Sequence, residues 1–317
     1  MLVLPEKSAS GEVTAKTAFL APHFEEGRVR MLGIPSKNDE ELDIVVWEEH
    51  WNPYDTLMES RLFRGADKGR KPKIMIEEEM RDYIVRGLDS AGFETVGMSP
   101  AAERVRQLKS EAEVELIRVV NTGTVVAVRA MRPCLVPGLT EDEVTDILNN
   151  ALLSIDFQLF FNIVLFEEHG ALPHGGFVTG WKKLTHDTMV VIDVGAHYLG
   201  YSSDICRSFV IDPPPSTACQ SNKLWKMLGL SGSFANKGVE PREGTIDEEK
   251  VKVWTIVLDA QTAGAEAFKP GNTAASVDIA GRTVIEEAGY GPAFTHRIGH
   301  GIGIKGTFET LGTVGIT

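Results

Sequence analysis

The first hundred residues alternate short apolar runs with amphipathic stretches. Such runs predict strands, while apolar residues that recur every three or four positions predict helices. Four strands are predicted, at Thr17 to Ala21, Leu42 to Trp47, Lys73 to Ile76 and Phe93 to Val96. This alternation is typical of a small α/β domain, which we place at residues 1–100.

The next segment has a helical pattern from Ala102 to Arg132 and ends at Pro133. Its apolar residues recur at steps compatible with one buried stripe along a helix: Val105, Leu108, Ala112, Leu116, Val120, Ala127 and Met131. We expect a linker helix over residues 101–132, followed by a second domain over residues 133–317.

A capping box of Thr140 and Glu143 predicts the first helix of this second domain. Its apolar face would comprise Val144, Ile147, Leu148, Ala151, Leu152 and Ile155. The run FFNIVLF predicts a strand, and two further helices are predicted near residues 253–268 and 274–289, the latter ending at Gly289. Residues 213–247 are rich in Pro, Gly, Ser, Asn and Lys, which favours a poorly ordered surface insertion over a lid.

The stretch VVIDVGAHYLGYSSDICRSFVI, residues 190–211, predicts a β-hairpin whose turn lies between Gly195 and Gly200. If Asp193 pairs with Asp204 across the hairpin, the two carboxylates lie on one face and repel each other. A single aspartate beside such a turn is ordinarily a solvated turn residue. Two aspartates within apolar strands need a hydrogen-bonding partner or a cation.

The nearby sequence supplies no basic residue to neutralise this pair. Lys and Arg are absent from residues 190–206, and alternation along the strand turns Arg207 to the opposite face. A bound cation is therefore the simplest explanation. Carboxylate and imidazole ligands suit divalent ions such as Mn²⁺, Co²⁺ and Zn²⁺.

Three histidines occur in sequence contexts that fit such a cation. His174 lies in ALPHGG, and His296 and His300 lie in THRIGHGIGI. Taken alone, His174 is better explained as a turn histidine packed under a loop. The ligand interpretation is stronger for His300, because its two flanking glycines allow close approach of the backbone. The match of GIGIKG to a dinucleotide-binding motif lacks the required acidic residue downstream.

Composition narrows the remaining function classes. The chain has 45 acidic and 32 basic residues and a net charge of −13, which disfavours binding to nucleic acid or anionic membranes. Its three cysteines have no C-x-x-C spacing, so no thiolate zinc site is indicated. We find neither a membrane-length apolar run nor a signal peptide, and we expect a cytoplasmic protein.

The ordered motifs LPHGG, VIDVGAHYLGYSSDICRSF and HRIGHGIGI resemble those of the pita-bread metallopeptidases, which include methionine aminopeptidase, aminopeptidase P, prolidase and the metal-free creatinase. RVRQLKSEAEVELIRVV resembles the linker helix of the creatinase and prolidase branch. The resemblance implies an α+β pita-bread catalytic domain behind a smaller α/β creatinase-type N-terminal domain.

The resemblance also implies roles for individual residues. Two divalent ions are expected, with Asp193 chelating one, Asp204 bridging both and His300 binding the other. His174 would contact the scissile group, and His296 matches a substrate-binding histidine of aminopeptidase P and prolidase. The implied reaction is hydrolysis next to proline, by an Xaa-Pro aminopeptidase or an Xaa-Pro dipeptidase. The implied substrate is a peptide with proline at its second position, and related enzymes are commonly homodimers.

The family's remaining landmarks do not match this chain. Its metal site uses two glutamates from strands after the histidine motif, whereas Glu309 is the only carboxylate between His300 and Thr317. Thr307 stands where the family has another histidine. We therefore expect a catalytic domain that is incomplete at its C-terminus, with an incomplete ligand set and reduced activity. The alternative is a non-catalytic binding module for protein or peptide partners, although joint retention of the three ligands favours an enzyme lineage.

Overall fold

The computed structural model describes residues 1–7, 11–34, 42–64, 69–172, 174–211 and 246–304. The chain divides into two compact units, Met1–Arg104 and Val105–Thr317. Nearly all of the insertion predicted at 213–247, together with Thr307 and Glu309, lies outside the described residues. Among the helices that the structure describes, none has both the length and the apolar character needed to cross a membrane.

The first unit contains all four of the strands predicted from the sequence. Strands β1, β2 and β3 form one sheet, in which β1 is antiparallel and β3 parallel to β2, and β4 and β5 form a parallel pair. Leu57, Leu88 and Phe93 form its buried core. The elements are β1 (Leu2–Lys7), β2 (Val13–Pro22), α1 (Glu26–Arg30), β3 (Asp43–Trp47), α2 (Pro53–Glu59), β4 (Lys73–Ile76), α3 (Asp82–Ser90) and β5 (Glu94–Gly97).

The helical segment after β5 differs from the single helix predicted for it. It consists of α4 (Pro100–Gln107) and α5 (Glu111–Met131). The break has a clear cause, because Ser110 and Glu113 form a reciprocal capping box that starts a new helix. Val105 and Leu108, predicted to be buried, are 76% and 46% exposed.

The second unit packs helices on an antiparallel sheet. The sheet has the order β6-β7-β8, with β9 paired to β7. The capping box of Thr140 and Glu143 is confirmed, but Ile155 lies beyond the end of its helix and is exposed. The remaining elements are α6 (Glu141–Leu153), β6 (Gln158–Phe166), β7 (Met189–Tyr198), β8 (Tyr201–Ser202), β9 (Ile205–Val210), α7 (Glu248–Ala267) and α8 (Ala274–Glu287).

One face of this sheet belongs to the main hydrophobic core. Val190, Ile192, Val194 and Ala196 of β7 are fully buried in one cluster with side chains of α5 and α6. Because side chains alternate along a strand, Asp193 lies on the other face. The hydrophobic packing therefore determines which face of the sheet presents the candidate site.

Candidate metal centre

The predicted hairpin forms, but its turn and its register differ from the prediction. Strand β7 continues through Gly195, and the reversal occurs at Leu199 and Gly200, which have φ angles of +48° and +84°. Gly195 serves close packing instead, since a Cβ there would lie 2.4 Å from the Phe161 ring and 2.9 Å from a backbone oxygen. Asp193 is consequently opposite Cys206, so its direct pairing with Asp204 was wrong.

Asp204 lies in the short break between β8 and β9. The hydroxyl of the preceding Ser203 accepts a hydrogen bond from the Ala196 N–H at 3.0 Å and lies 2.7 Å from the Thr124 hydroxyl. The Asp204 N–H donates to the side-chain oxygen of Asn121 at 3.4 Å. Thr124 and Asn121 of helix α5 therefore hold this break in place.

The two aspartates interact strongly despite the offset register. Burial, together with the charge and hydrogen bonding of Asp204, raises the pKa of Asp193 to about 6. Burial also raises the pKa of Asp204, while the neighbouring His300 opposes that rise. Asp193 Oδ1 is buried and has no hydrogen-bond partner among the described residues. Such an arrangement is unfavourable for the ionised pair unless a cation is added.

His300 approaches this pair from a distant part of the chain. Its Nε2 lies 3.2 Å from Asp204 Oδ2, and its Nδ1 donates to the Gly301 carbonyl at 2.9 Å. The segment is held by Ser202, whose N–H donates to the Gly303 carbonyl at 2.8 Å. The Nδ1 hydrogen bond directs Nε2 toward the carboxylate, as is usual for a metal-ligating histidine.

The other two candidate histidines are placed differently. His174 is exposed on its loop, so the suggestion that it is packed beneath that loop was wrong. Its charge lowers the pKa of Asp193, which places it within electrostatic reach of the pair. His296 is also exposed, and its carbonyl accepts a hydrogen bond from Arg282 at 3.0 Å. The hydrogen bond of His296 joins it to α8 and not to either aspartate.

Sequence reasoning missed an ion pair that holds the segment carrying His296 and His300. On α8, Asp278 pairs with Arg282 at 2.8 Å and also accepts the Ile298 N–H at 2.8 Å. Arg282 donates to the Phe294 carbonyl at 2.9 Å. The sequence signal was an Asp and an Arg four residues apart on a predicted helix.

The donor atoms fit a divalent metal ion in their chemistry. Two partly buried carboxylates with an unpartnered oxygen and an oriented imidazole are the ligands that hard or borderline ions prefer. Within the described ranges, however, no three His, Cys, Asp or Glu side chains are already grouped closely enough to hold an ion. Asp193, Asp204 and His300 would therefore have to adjust, or be joined by further ligands, to complete a site.

Comparison with known proteins gives a consistent result. The family described as metallopeptidase family M24 matches residues 115–228 and 238–312, which include all five candidate site residues. An uncharacterized peptidase of Schizosaccharomyces pombe is 34% identical over 298 residues, covering 93% of this chain and 56% of the relative. One from Staphylococcus haemolyticus is 30% identical over 205 residues, covering 64% and 49%. The chain spans about half the length of these curated relatives.

Solved structures are similar over nearly the whole chain. A dipeptidase from Pyrococcus horikoshii has a TM-score of 0.70 at 25% identity, covering 99% of this chain and 74% of that one. A prolidase from Pyrococcus furiosus has a TM-score of 0.68 at 24% identity, covering 95% and 74%. These similarities confirm the predicted α+β fold.

Proposed function

The chain belongs to metallopeptidase family M24, and on that premise we propose that it carries the active site of a metal-dependent peptidase acting on bonds next to proline. One observation carries the proposal. His300 Nε2 lies 3.2 Å from Asp204 although 96 residues separate them, and Asp204 in turn perturbs Asp193. Folding thus brings His300 beside Asp204, and Asp204 close to Asp193, although these three residues, which the family resemblance assigns to the metal, do not yet form a closed three-ligand group.

These side chains have properties that suit metal binding. In the metal-free chain, Asp193 retains a proton up to a pH of about 6, and His300 Nε2 lies 3.2 Å from Asp204 Oδ2. A cation would take the place of the proton on Asp193. When bound, a divalent ion would lower the pKa of a water molecule and polarise a peptide carbonyl.

His174 has a separate role in the proposed reaction. It lies on an exposed loop within electrostatic reach of Asp193. From there its imidazole would donate a hydrogen bond to the carbonyl oxygen of the substrate as negative charge develops on it. We assign it to stabilisation of the transition state and not to metal binding.

Specificity for proline is the finer part of the proposal. Its support is the position of His296, which resembles a substrate-binding histidine of aminopeptidase P and prolidase, and the structural similarity to a prolidase and to an Xaa-Pro dipeptidase of Bacillus anthracis. The aminopeptidase and dipeptidase alternatives both stay open. The homodimer and the cytoplasmic location remain predictions from the sequence.

The first test is metal content. The purified chain and an Asp204→Ala variant are dialysed against Mn²⁺, Co²⁺ or Zn²⁺ and analysed for bound metal, with Asp146→Ala as the control because Asp146 is exposed on α6. We expect stoichiometric metal in the wild type and the control, and roughly 10- to 100-fold weaker binding or complete loss in Asp204→Ala. Hydrolysis of Ala-Pro, Ala-Ala and a longer Ala-Pro peptide, with and without chelator, then tests the reaction and its specificity.

A non-catalytic binding module is the second candidate. It is favoured by the absence, in the part of the chain that the structure describes, of a ready three-ligand group. The two candidates differ in the metal measurement. Wild-type protein that binds no metal would contradict the peptidase proposal and favour the binding module.

A further inference from the structure

A buried carboxylate lies at the base of the loop that carries His174. Glu141 is the first residue of α6 and is only 1% exposed. Its Oε1 accepts the Phe166 N–H at 2.8 Å, and its Oε2 accepts the Gly180 N–H at 2.7 Å. One side chain therefore joins the residue at which this loop leaves β6 to the residue at which it returns.

A further group within the loop binds the same carboxylate. Nδ1 of His169 lies 2.9 Å from one carboxylate oxygen of Glu141 and 3.0 Å from the other. The His169 ring packs edge-on against Trp181, with ring centroids 5.3 Å apart. Glu141 thus contacts the first turn of the loop as well as both of its ends.

At the end of the loop, the backbone at Gly180 packs closely against the first turn of α6. The Asp142 N–H donates to the Gly180 carbonyl at 3.0 Å. Gly180 has a φ of +100°, and a Cβ there would lie 2.5 Å from the Asp142 carboxylate. Only glycine allows the backbone to come this close to Asp142, so this end of the loop is anchored at Gly180, where no residue with a side chain would fit.

Helix capping does not account for Glu141. The cap of α6 is made by Thr140 and Glu143, whose side chains satisfy the first backbone N–H groups. The carboxylate of Glu141 instead accepts hydrogen bonds from groups outside its own helix. A carboxylate is costly to bury unless it is fully hydrogen-bonded. Here the bonds go to His169 within the segment that carries His174, and to Phe166, Gly180 and Lys182 on either side of that segment.

We propose that Glu141 is a positioning residue, which holds the loop of residues 167–179 so that His174 stays beside the part of the sheet that carries Asp193. A Cβ on the adjacent Gly175 would lie 3.8 Å from Ile163, the residue of β6 that pairs with Asp193. This inference rests on the proposed function, because that function gives His174 its role. The charge of Glu141 strengthens each of its hydrogen bonds. Replacement by glutamine keeps the shape but removes the charge and one acceptor oxygen.

The test compares Glu141→Gln with Glu143→Gln, which makes the same chemical change two residues away without touching the loop. The first readout is the ring resonance of His174 in ¹³C-histidine-labelled protein, assigned by its loss in His174→Gln. The second is amide hydrogen exchange over residues 167–181 relative to β7. In Glu141→Gln we expect a shifted His174 resonance and roughly tenfold faster exchange in the loop alone, with neither change in Glu143→Gln.

Kinetics separate positioning from a general loss of structure. If the wild type hydrolyses Ala-Pro, Glu141→Gln should lower kcat roughly 10- to 100-fold, as outer partners of active-site groups do, and leave KM nearly unchanged. Should Glu141→Gln not fold by circular dichroism, His169→Phe is used instead, because it removes one bond to Glu141 and retains a ring against Trp181.

The outcomes distinguish this inference from the proposed function. An unmoved His174 resonance with unchanged loop exchange in the folded variant would overturn the positioning role, as would equal changes in Glu143→Gln. If the wild type has no peptidase activity but the resonance and exchange changes occur as expected, the positioning role stands and the proposed reaction fails.

Discussion

Replacing Asp193 by asparagine should stabilise the metal-free protein at neutral pH. Burial and the neighbouring Asp204 raise the pKa of Asp193 from 3.8 to about 6. A shift of this size corresponds to about 3 kcal/mol, and partial exposure to solvent reduces the expected effect to about 1 to 2 kcal/mol. Asparagine has a similar shape and no charge, so it should remove the free-energy penalty of holding an ionised carboxylate at this position.

The direction of the pH dependence follows from proton linkage. The folded chain binds the proton of Asp193 more tightly than the unfolded chain does. Below pH 3.8 both states are protonated and the penalty is absent, and as the pH rises through about 6 the folded state must lose a proton that it retains tightly. The free energy of unfolding of the wild type should therefore fall over this range relative to that of Asp193→Asn.

Urea unfolding in the presence of EDTA measures this difference. The free energies of unfolding of wild type, Asp193→Asn and the exposed control Asp146→Asn are compared at pH 4 and pH 7.5. We expect the advantage of Asp193→Asn to be near zero at pH 4 and about 1 to 2 kcal/mol at pH 7.5, with no such change in the control. An advantage that is equal at both pH values, or that grows toward low pH, would refute the assigned electrostatics.

Three further substitutions test the packing around the site, each by urea unfolding against the wild type. Asp278→Asn weakens the anchor of the Ile298 N–H and should lower the free energy of unfolding by about 1 to 3 kcal/mol; an unchanged value would mean that the bond is not formed in solution. Gly281→Ala places a methyl group 2.3 Å from the side chain of Ile298 and 2.8 Å from the Ala260 carbonyl. It should lower the free energy of unfolding by about 1 to 3 kcal/mol. An unchanged free energy of unfolding would contradict this close contact. Thr140→Ala removes the N-cap of α6 and should lower the free energy of unfolding by about 1 kcal/mol. Thr140→Ser keeps a capping hydroxyl and should retain most of the wild-type stability.

Local sequence patterns predicted most elements of the fold. The four strands predicted in the first unit, the capping box at Thr140 and the helix that ends before Gly289 all appear in the structure. These features depend on interactions within a few residues of the chain, so periodicity and capping chemistry suffice to predict them. The same local rules explain the break at Ser110. Ser110 and Glu113 have the spacing of a capping box, which starts a new helix where the sequence analysis predicted a continuous one.

What the sequence alone determined about the site was its set of residue types: two aspartates in apolar strands and histidines in glycine-rich segments. Tertiary structure decided how they meet. Gly195 packs against Phe161 of β6 within the sheet, and the chain reverses only at Leu199 and Gly200, which places Asp193 opposite Cys206. The roles of Glu141 and Asp278 likewise depend on partners from 20 to 39 residues away in the chain. No local pattern contains such partners, because they become neighbours only when the core has packed.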